Sequence, residues 1–235
     1  MPTAHRVFEV TALVLTVILL AWMGVRVARA IGTQGHGFGV ATAVLVAYLL
    51  ADLVSGIVHW MGDTLGDENA GWFGAAFSQP FREHHKDPRA IAVHAFVETN
   101  GNNGIVALPP LLAAHLWMTP TGPRFYLAAF VAALALFGLA TNQCHKWAHS
   151  WRVPRIVSLL QRSRLIIAPG HHDRHHEWPH RTHYCVLSGW MNAAADRLRF
   201  FRAVEHIIRH TRPSWLNKDS RVAEGASLPR IHPGT

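Results

Sequence analysis

The stretch FGVATAVLVAYLLADLVSGIVHWM, residues Phe38–Met61, decides the fold class. It is apolar over the length that an α-helix needs to cross a bilayer, and it holds one carboxylate, Asp52, and one imidazole, His59. A carboxylate inside a membrane span is expensive to place there and marks a candidate functional group. Asp52, His59 and Asp63 follow at spacings of seven and four, so they share one face if the helix persists. Carboxylates so placed can accept the free ring N–H of a metal-bound imidazole, the role expected of Asp52 and Asp63.

Three further apolar runs flank this one. Val7–Val25 is broken only by Glu9 and two Thr. A cleaved signal peptide is the rival reading, because Arg6 precedes the run and Ala28-Arg29-Ala30 resembles a cleavage site, but the run is long for such a segment. Ile105–Met118 is short and carries Pro109-Pro110, which suggests a kinked or partial crossing. Phe125–Thr141 is the fourth. Ile156–Ala168, interrupted by Gln161, Arg162 and Arg164, reads as interfacial or packed on the protein. The expected fold is therefore all-α: a polytopic membrane protein of about four transmembrane helices with a cytoplasmic His-rich di-metal domain. Residues 1–37 form the first span and a short external loop. Residues 38–210 form the catalytic domain, with spans at about 38–61, 105–118 and 125–141 and His-bearing segments at 62–103 and 143–210. Residues 211–235 read as a flexible tail.

Composition agrees with this. Half of the 235 residues are hydrophobic and only 15% are charged, against about 25% in a typical soluble domain. That excludes intrinsic disorder for most of the chain, and two Cys exclude a disulfide framework. Cys144 and Cys185 form no C-x-x-C and read as free thiols on a reducing side. Charge is uneven: residues 143–235 hold 15 Lys/Arg against 6 Asp/Glu, whereas residues 1–142 hold 7 against 8. With four spans, 19 basic residues fall on the side of the termini and 3 on the other, so the positive-inside rule makes the first side cytoplasmic. The basic C-terminal part then suits anionic lipid head groups, and no nucleic-acid partner is expected. The 19 Arg against 3 Lys suggest a G+C-rich bacterial genome, and hence a bacterial inner membrane.

The chain has 18 His, more than its Asp and Glu together. Sorted by this topology, twelve share the cytoplasmic face: His59, His84, His85, His94, His145, His149, His171, His172, His175, His176, His180 and His183. His36 and His115 fall on the other face. His145 and His149 are one helical turn apart, and His172-x-x-His175-His176 repeats the arrangement. His84-His85 and His59 add three from two other segments. Eight imidazoles exceed what one tetrahedral zinc uses and suit two ions of higher coordination. The absence of clustered Cys argues against iron–sulfur and structural zinc, which leaves a His-lined pair of iron ions that activates oxygen as the favoured reading. A membrane protein that binds or transports metal without redox chemistry is the competing class. Transporters place their ligands near the midplane, whereas most of these His lie beyond the spans. The run Arg197–Arg209 alternates basic and apolar residues and reads equally as an amphipathic helix on the leaflet or one packed on the catalytic domain.

Five blocks in order carry a resemblance: ADLVSGIVHW (Ala51–Trp60), QPFREHHKDP (Gln79–Pro88), HAFVETNGNN (His94–Asn103), TNQCHKWAH (Thr141–His149), and HHDRHH (His171–His176) followed by Pro179-His180 and SGWMN (Ser188–Asn192). The chain resembles the Kua/CarF-type lipid desaturase family, which includes plasmanylethanolamine desaturases, over about Ala51–Phe201. The resemblance implies an oxidoreductase that uses O2 and two electrons at two iron ions (Fe2+/Fe3+). It removes two hydrogens from the alkyl ether chain of plasmanylethanolamine, next to the ether oxygen, to give the vinyl ether of a plasmalogen. Some relatives desaturate an acyl chain instead, so acyl-lipid desaturation or hydroxylation at the same site is the nearest alternative. The motif histidines assigned to iron are His59, His84, His85, His145, His149, His172, His175 and His176. His94, His171 and His180 also match family histidines, as reserve ligands or supports, and His183 departs from the pattern. Asn100 and Asn103 match a further motif. The implied partners are a phospholipid in the bilayer and an external electron donor (a cytochrome, ferredoxin or reductase), since no nucleotide-binding fingerprint is present.

Overall fold

In the computed structural model, residues 3–65 and 79–211 are described, and their regular structure is α-helical: α1 (Thr3–Gln34), α2 (Gly37–Thr64), α3 (Gln79–Lys86), α4 (Ala90–Val93), α5 (Phe96–Trp117), α6 (Pro123–Ala148), α7 (Arg155–Arg162), α8 (Pro169–His176), α9 (Trp190–Arg197) and α10 (Phe200–Thr211). The tail expected over 211–235 lies, beyond Thr211, outside the described residues, as does part of the 62–103 segment.

Three of these helices are long and apolar enough to cross a membrane: Ala4–Thr33, Gly37–Thr64 and Pro123–Ala148. This is a membrane protein. The expected Ile105–Met118 run belongs to a longer helix, α5, which starts at Phe96 and continues through Pro109-Pro110. Its first turns are polar, which keeps it out of that set, and Glu98 helps start it by accepting the Ala95 N–H at 3.3 Å. Gly122 at φ 76° followed by Pro123 opens α6, the positive φ being one that glycine adopts freely and proline being suited to the first helical position.

Helix α5 packs along α1, α6 along α5, and α2 along α6. Helices α1 and α5 run parallel and approach closely: a Cβ on Gly101 would meet Glu9, and one on Gly104 would meet Leu13. Arg26, near the far end of α1, donates to the carbonyls of His115 (3.0 Å) and Met118 (3.2 Å), which closes the C-terminus of α5. His115 therefore has a structural place there, its Nε2 being 2.8 Å from the Leu19 carbonyl. Helices α2 and α6 are likewise parallel, with Val40 and Phe125 meeting at their N-termini. Their C-termini, carrying His59 and His145, emerge together at one end of the bundle.

The described residues after α6, up to Thr211, fold back onto that end along one face of α2. Tyr48 donates to the Leu165 carbonyl. Ser55 Oγ accepts the Val186 N–H at 3.0 Å. Gly56 leaves room for Cys185, whose Sγ would stand 2.6 Å from a Cβ there. Both cysteines are buried and free. Helix α10 buries Phe201 against Trp60, Tyr184 and Ala195, while Leu198 before it and Ile207 on it are exposed. The 156–168 stretch is also packed, with Val157 and Ile167 buried, while Ile156 and Leu159 remain exposed.

Candidate metal centre

Four elements deliver imidazoles to the bundle end. His59 comes from the last turns of α2. His84 and His85 come from α3, which seats on α2 because Gly62 has no side chain and the Phe81 ring fills that space. His145 ends α6 and His149 caps it. Helix α8 starts at Pro169, as the Pro169-Gly170 break suggests, and projects His172, His175 and His176. The eight predicted histidines converge into two adjoining groups. His84, His145, His149, His172 and His176 form one, and His59, Asp63, His85 and His175 form the other, with the donor atoms of each group within 4.8 Å of one another.

The spacing inside the groups is that of ligands. His145 Nε2 lies 2.8 Å from His172 Nε2 and 3.0 Å from His84 Nε2, and His176 Nε2 lies 3.2 Å from His172 Nε2. In the second group His175 Nε2 is 3.3 Å from His85 Nε2. A neutral imidazole has one N–H and one lone pair, so this many convergent nitrogens cannot satisfy one another by hydrogen bonding. Two nitrogens each about 2.1 Å from a common ion stand about 3.0 Å apart at a right angle, which matches. Buried Nε2 atoms without hydrogen-bond partners are also found here, those of His59 and His149. The donor set fits metal.

Electrostatics keep the ring nitrogens available. Burial, reinforced by neighbouring imidazoles, holds His84 and His172 far below ordinary histidine basicity. The same causes bring His149 down to about 4 and His176 to about 2. At neutral pH these rings carry no proton that a cation must displace. His175 is also oriented from behind: its Nδ1 lies 2.9 Å from the Thr182 carbonyl, which places the N–H on that side and the lone pair on Nε2.

The predicted supporting residues take different places. Asp63 stands among the donors, with Oδ1 3.1 Å from His85 Nε2 and Oδ2 3.3 Å from His175 Nε2 and 3.6 Å from His59 Nε2. Its i+4 spacing from His59 was the available signal. Among the described residues, the groups that Asp52 accepts from are backbone amides rather than imidazoles. Its oxygens take the backbone N–H groups of Ser188, Gly189 and Met191 at 2.8, 3.0 and 2.9 Å. His171 lies outside both groups, beside Asn192 at 3.2 Å, and burial lowers its basicity. His180 meets His85 edge-on (ring centroids 4.7 Å apart) with its Nδ1 against the His175 carbonyl, also outside. His94 is outside too, and its carbonyl accepts the Lys146 ammonium. Asn100, Asn103, Asn142 and Gln143 form an amide lattice: Asn100 donates to Gln143 at 3.1 Å, Asn142 to the Thr99 carbonyl at 2.9 Å, and Asn103 to the Gly138 carbonyl at 2.9 Å. This fixes α5 to α6 just before His145.

A family model described as the lipid desaturase domain matches residues 48–214. The chain is 42% identical over 225 residues to the plasmanylethanolamine desaturase of Myxococcus xanthus, covering 95% of this chain and 79% of that one. It is 40% identical over 176 residues to plasmanylethanolamine desaturase 1 of Mus musculus, covering 72% and 65% respectively. Fatty acid desaturase 4, chloroplastic, of Arabidopsis thaliana is 32% identical over 169 residues, covering 71% and 51%. No solved structure matches the chain.

Proposed function

The chain belongs to the lipid desaturase family, and from that premise we propose that it converts the alkyl ether chain of a plasmanylethanolamine-type phospholipid to a vinyl ether. The observation that carries this reading is the convergence of eight imidazoles and Asp63 into two adjoining donor groups where two apolar helices end. In the balanced reaction, the two carbons nearest the ether oxygen lose two hydrogens. Dioxygen takes those hydrogens with two electrons and two protons from outside, and two waters leave. The protein is an oxidoreductase, and the electrons come from a separate cytochrome, ferredoxin or reductase.

Two iron ions fit the donors: His84, His145, His149, His172 and His176 would hold one, and His59, Asp63, His85 and His175 the other. Iron bound there supplies a dioxygen-derived oxidant for an unactivated C–H bond, which no side chain provides. The residues of the chain do the rest. Thr182 keeps His175 in one tautomer, the Asn100–Gln143 lattice holds the His145 end of α6 in place, and burial of His59, His172 and His175 keeps bulk water from the donors. The charge asymmetry supports a cytoplasmic His-rich face, and the 19 Arg against 3 Lys support a bacterial inner membrane. The donors sit at helix ends rather than near the midplane, which favours lipid chemistry over metal transport.

The test is lipid analysis. Cells expressing the protein and fed an alkyl ether lipid should accumulate acid-labile vinyl ethers, and a variant lacking His172 should not. A new acyl double bond with no vinyl ether would replace this reading with acyl-lipid desaturation.

A further inference from the structure

Beside the histidine cluster, and formed by the segments that follow it, lies a cavity of about 240 Å3 lined by Arg181, Thr182, Asp196, Arg199, Phe201 and Arg202 among others. Three guanidinium groups and one carboxylate give it a net positive wall with a single negative point. Arginine forks match phosphate oxygens, and a carboxylate matches an ammonium group. The arrangement is therefore complementary to a phosphate bearing a short amine.

Its position is specific. Thr182, which helps line the cavity, has its carbonyl against His175 Nδ1 at 2.9 Å. Phe201, at its wall, packs on Tyr184 with ring centroids 4.8 Å apart, and Tyr184 packs on His175 at 4.9 Å. Two stacked side chains, Phe201 and Tyr184, thus connect the cavity wall to the second donor group. Arg199 itself sits at φ 52°, in the joint between α9 and α10, a conformation at which glycine or asparagine would be ordinary. A strained position occupied by a long cationic side chain points to a use for that side chain.

The proposed reaction needs a head-group site in just this neighbourhood. The carbons that lose hydrogen adjoin the ether oxygen, so only the glycerol backbone separates them from the phosphate. We propose that this cavity receives the head group of the phospholipid substrate, with Arg181, Arg199 and Arg202 on the phosphate and Asp196 facing the amine. Asp196 is held in place by His183: its Oδ2 accepts the His183 N–H at 3.3 Å and lies 3.2 Å from His183 Nδ1. The inference rests on the lipid desaturase reading above and names where its substrate is gripped.

The experiment compares the metal-loaded wild-type protein in neutral lipid nanodiscs with the double variant Arg199→Gln/Arg202→Gln and with Asp196→Asn. Both arginines are exposed, and Tm and iron content check the fold of each variant. The double variant should raise KM for an alkyl ether phosphoethanolamine lipid about tenfold or more, the scale of lost charge-assisted hydrogen bonds, with kcat within about twofold. Soluble glycerophosphoethanolamine should inhibit the wild type and not the double variant, while inorganic phosphate inhibits much less. Asp196→Asn should lose the preference for the amine-bearing lipid over the alkyl ether phosphatidic acid. Unchanged KM and inhibition in the double variant would overturn the proposal, as would equal inhibition by inorganic phosphate, which would mark a general anion site. If the wild type forms no vinyl ether, binding of the same lipid by native mass spectrometry decides. Loss of binding in the double variant upholds the head-group site while the reaction fails, and equal binding refutes the site.

Discussion

The carboxylate of Asp52 accepts the backbone N–H of Ser188 at 2.8 Å, joining the middle of α2 to the segment that opens α9. With the amides of Gly189 and Met191 on the same carboxylate, a buried negative charge sits at the N-terminus of a helix, where the backbone is positive. The carboxylate thereby anchors the segment that carries Tyr184 and backs His175. Asp52→Ala would strand three amides and should destabilise the protein by about 3 kcal/mol. Asp52→Asn keeps acceptor oxygen and shape and should cost less. Thermal unfolding in detergent, read beside metal content, measures both. An Asp52→Ala protein with wild-type Tm would show that the anchor carries no weight.

His145 and His172 meet at the closest nitrogen–nitrogen approach in the cluster, 2.8 Å. Replacing either with Ala should abolish desaturation and lower bound metal. Asp63→Asn makes a sharper case. The amide keeps the volume and loses the charge that three imidazoles face, so metal affinity should fall by about tenfold or more with little change in fold. Metal analysis of purified variants separates these outcomes. Full metal occupancy in Asp63→Asn would return that residue to a merely supporting position.

The lowered basicity of the five-histidine group sets a pH dependence for the metal-free protein. His84, His149, His172 and His176 all fall below the ordinary value of 6.5 because burial penalises the imidazolium. On acidification the unfolded chain takes up protons that the folded one refuses, so the folded state loses ground. Stability contributed by His149 is fully present above about 6.5 and is lost as pH falls towards about 4, and His176 extends the loss towards about 2. The midpoint of thermal unfolding should therefore drop steadily from pH 7 to pH 4.5, less steeply in His149→Gln. A flat profile over that range would contradict the burial of these rings.

The histidines were legible because each cluster is local: His145/His149 and His172/His175/His176 lie one turn apart on helices that the pattern already implied. The start of α5 was not legible. Glu98-Thr99-Asn100-Gly101-Asn102-Asn103 reads as a polar loop, and it is helical because α6 supplies Gln143, Thr141 and the Gly138 carbonyl as partners from far along the chain. The part played by Asp52 was hidden for the same reason, since its three partners are backbone groups remote in sequence. Asp63 could be read as near His59 but not as a donor, because that depends on where α3 and α8 bring His85 and His175.

Gly56 tests whether the metal centre depends on the way the C-terminal segments dock on α2. A Cβ at that position would lie 2.6 Å from Cys185 Sγ, 3.1 Å from the Cys185 backbone nitrogen and 3.2 Å from Phe201 Cζ. The sulfur is buried and the nitrogen donates to Asn192 Oδ1 at 2.8 Å, so neither yields readily. Gly56→Ala should therefore push the 184–187 strip outward and cost about 1–3 kcal/mol, the range for overpacking a close contact. Because Ser55 and His59 flank this point on the same helix face, the displacement should loosen His175 and lower metal content while the apolar helices still insert in the membrane. A second change, Cys185→Gly, removes the sulfur from the contact and should recover part of the metal in the double variant. Gly56→Ala with full metal and an unchanged Tm would show that the docking tolerates a methyl group.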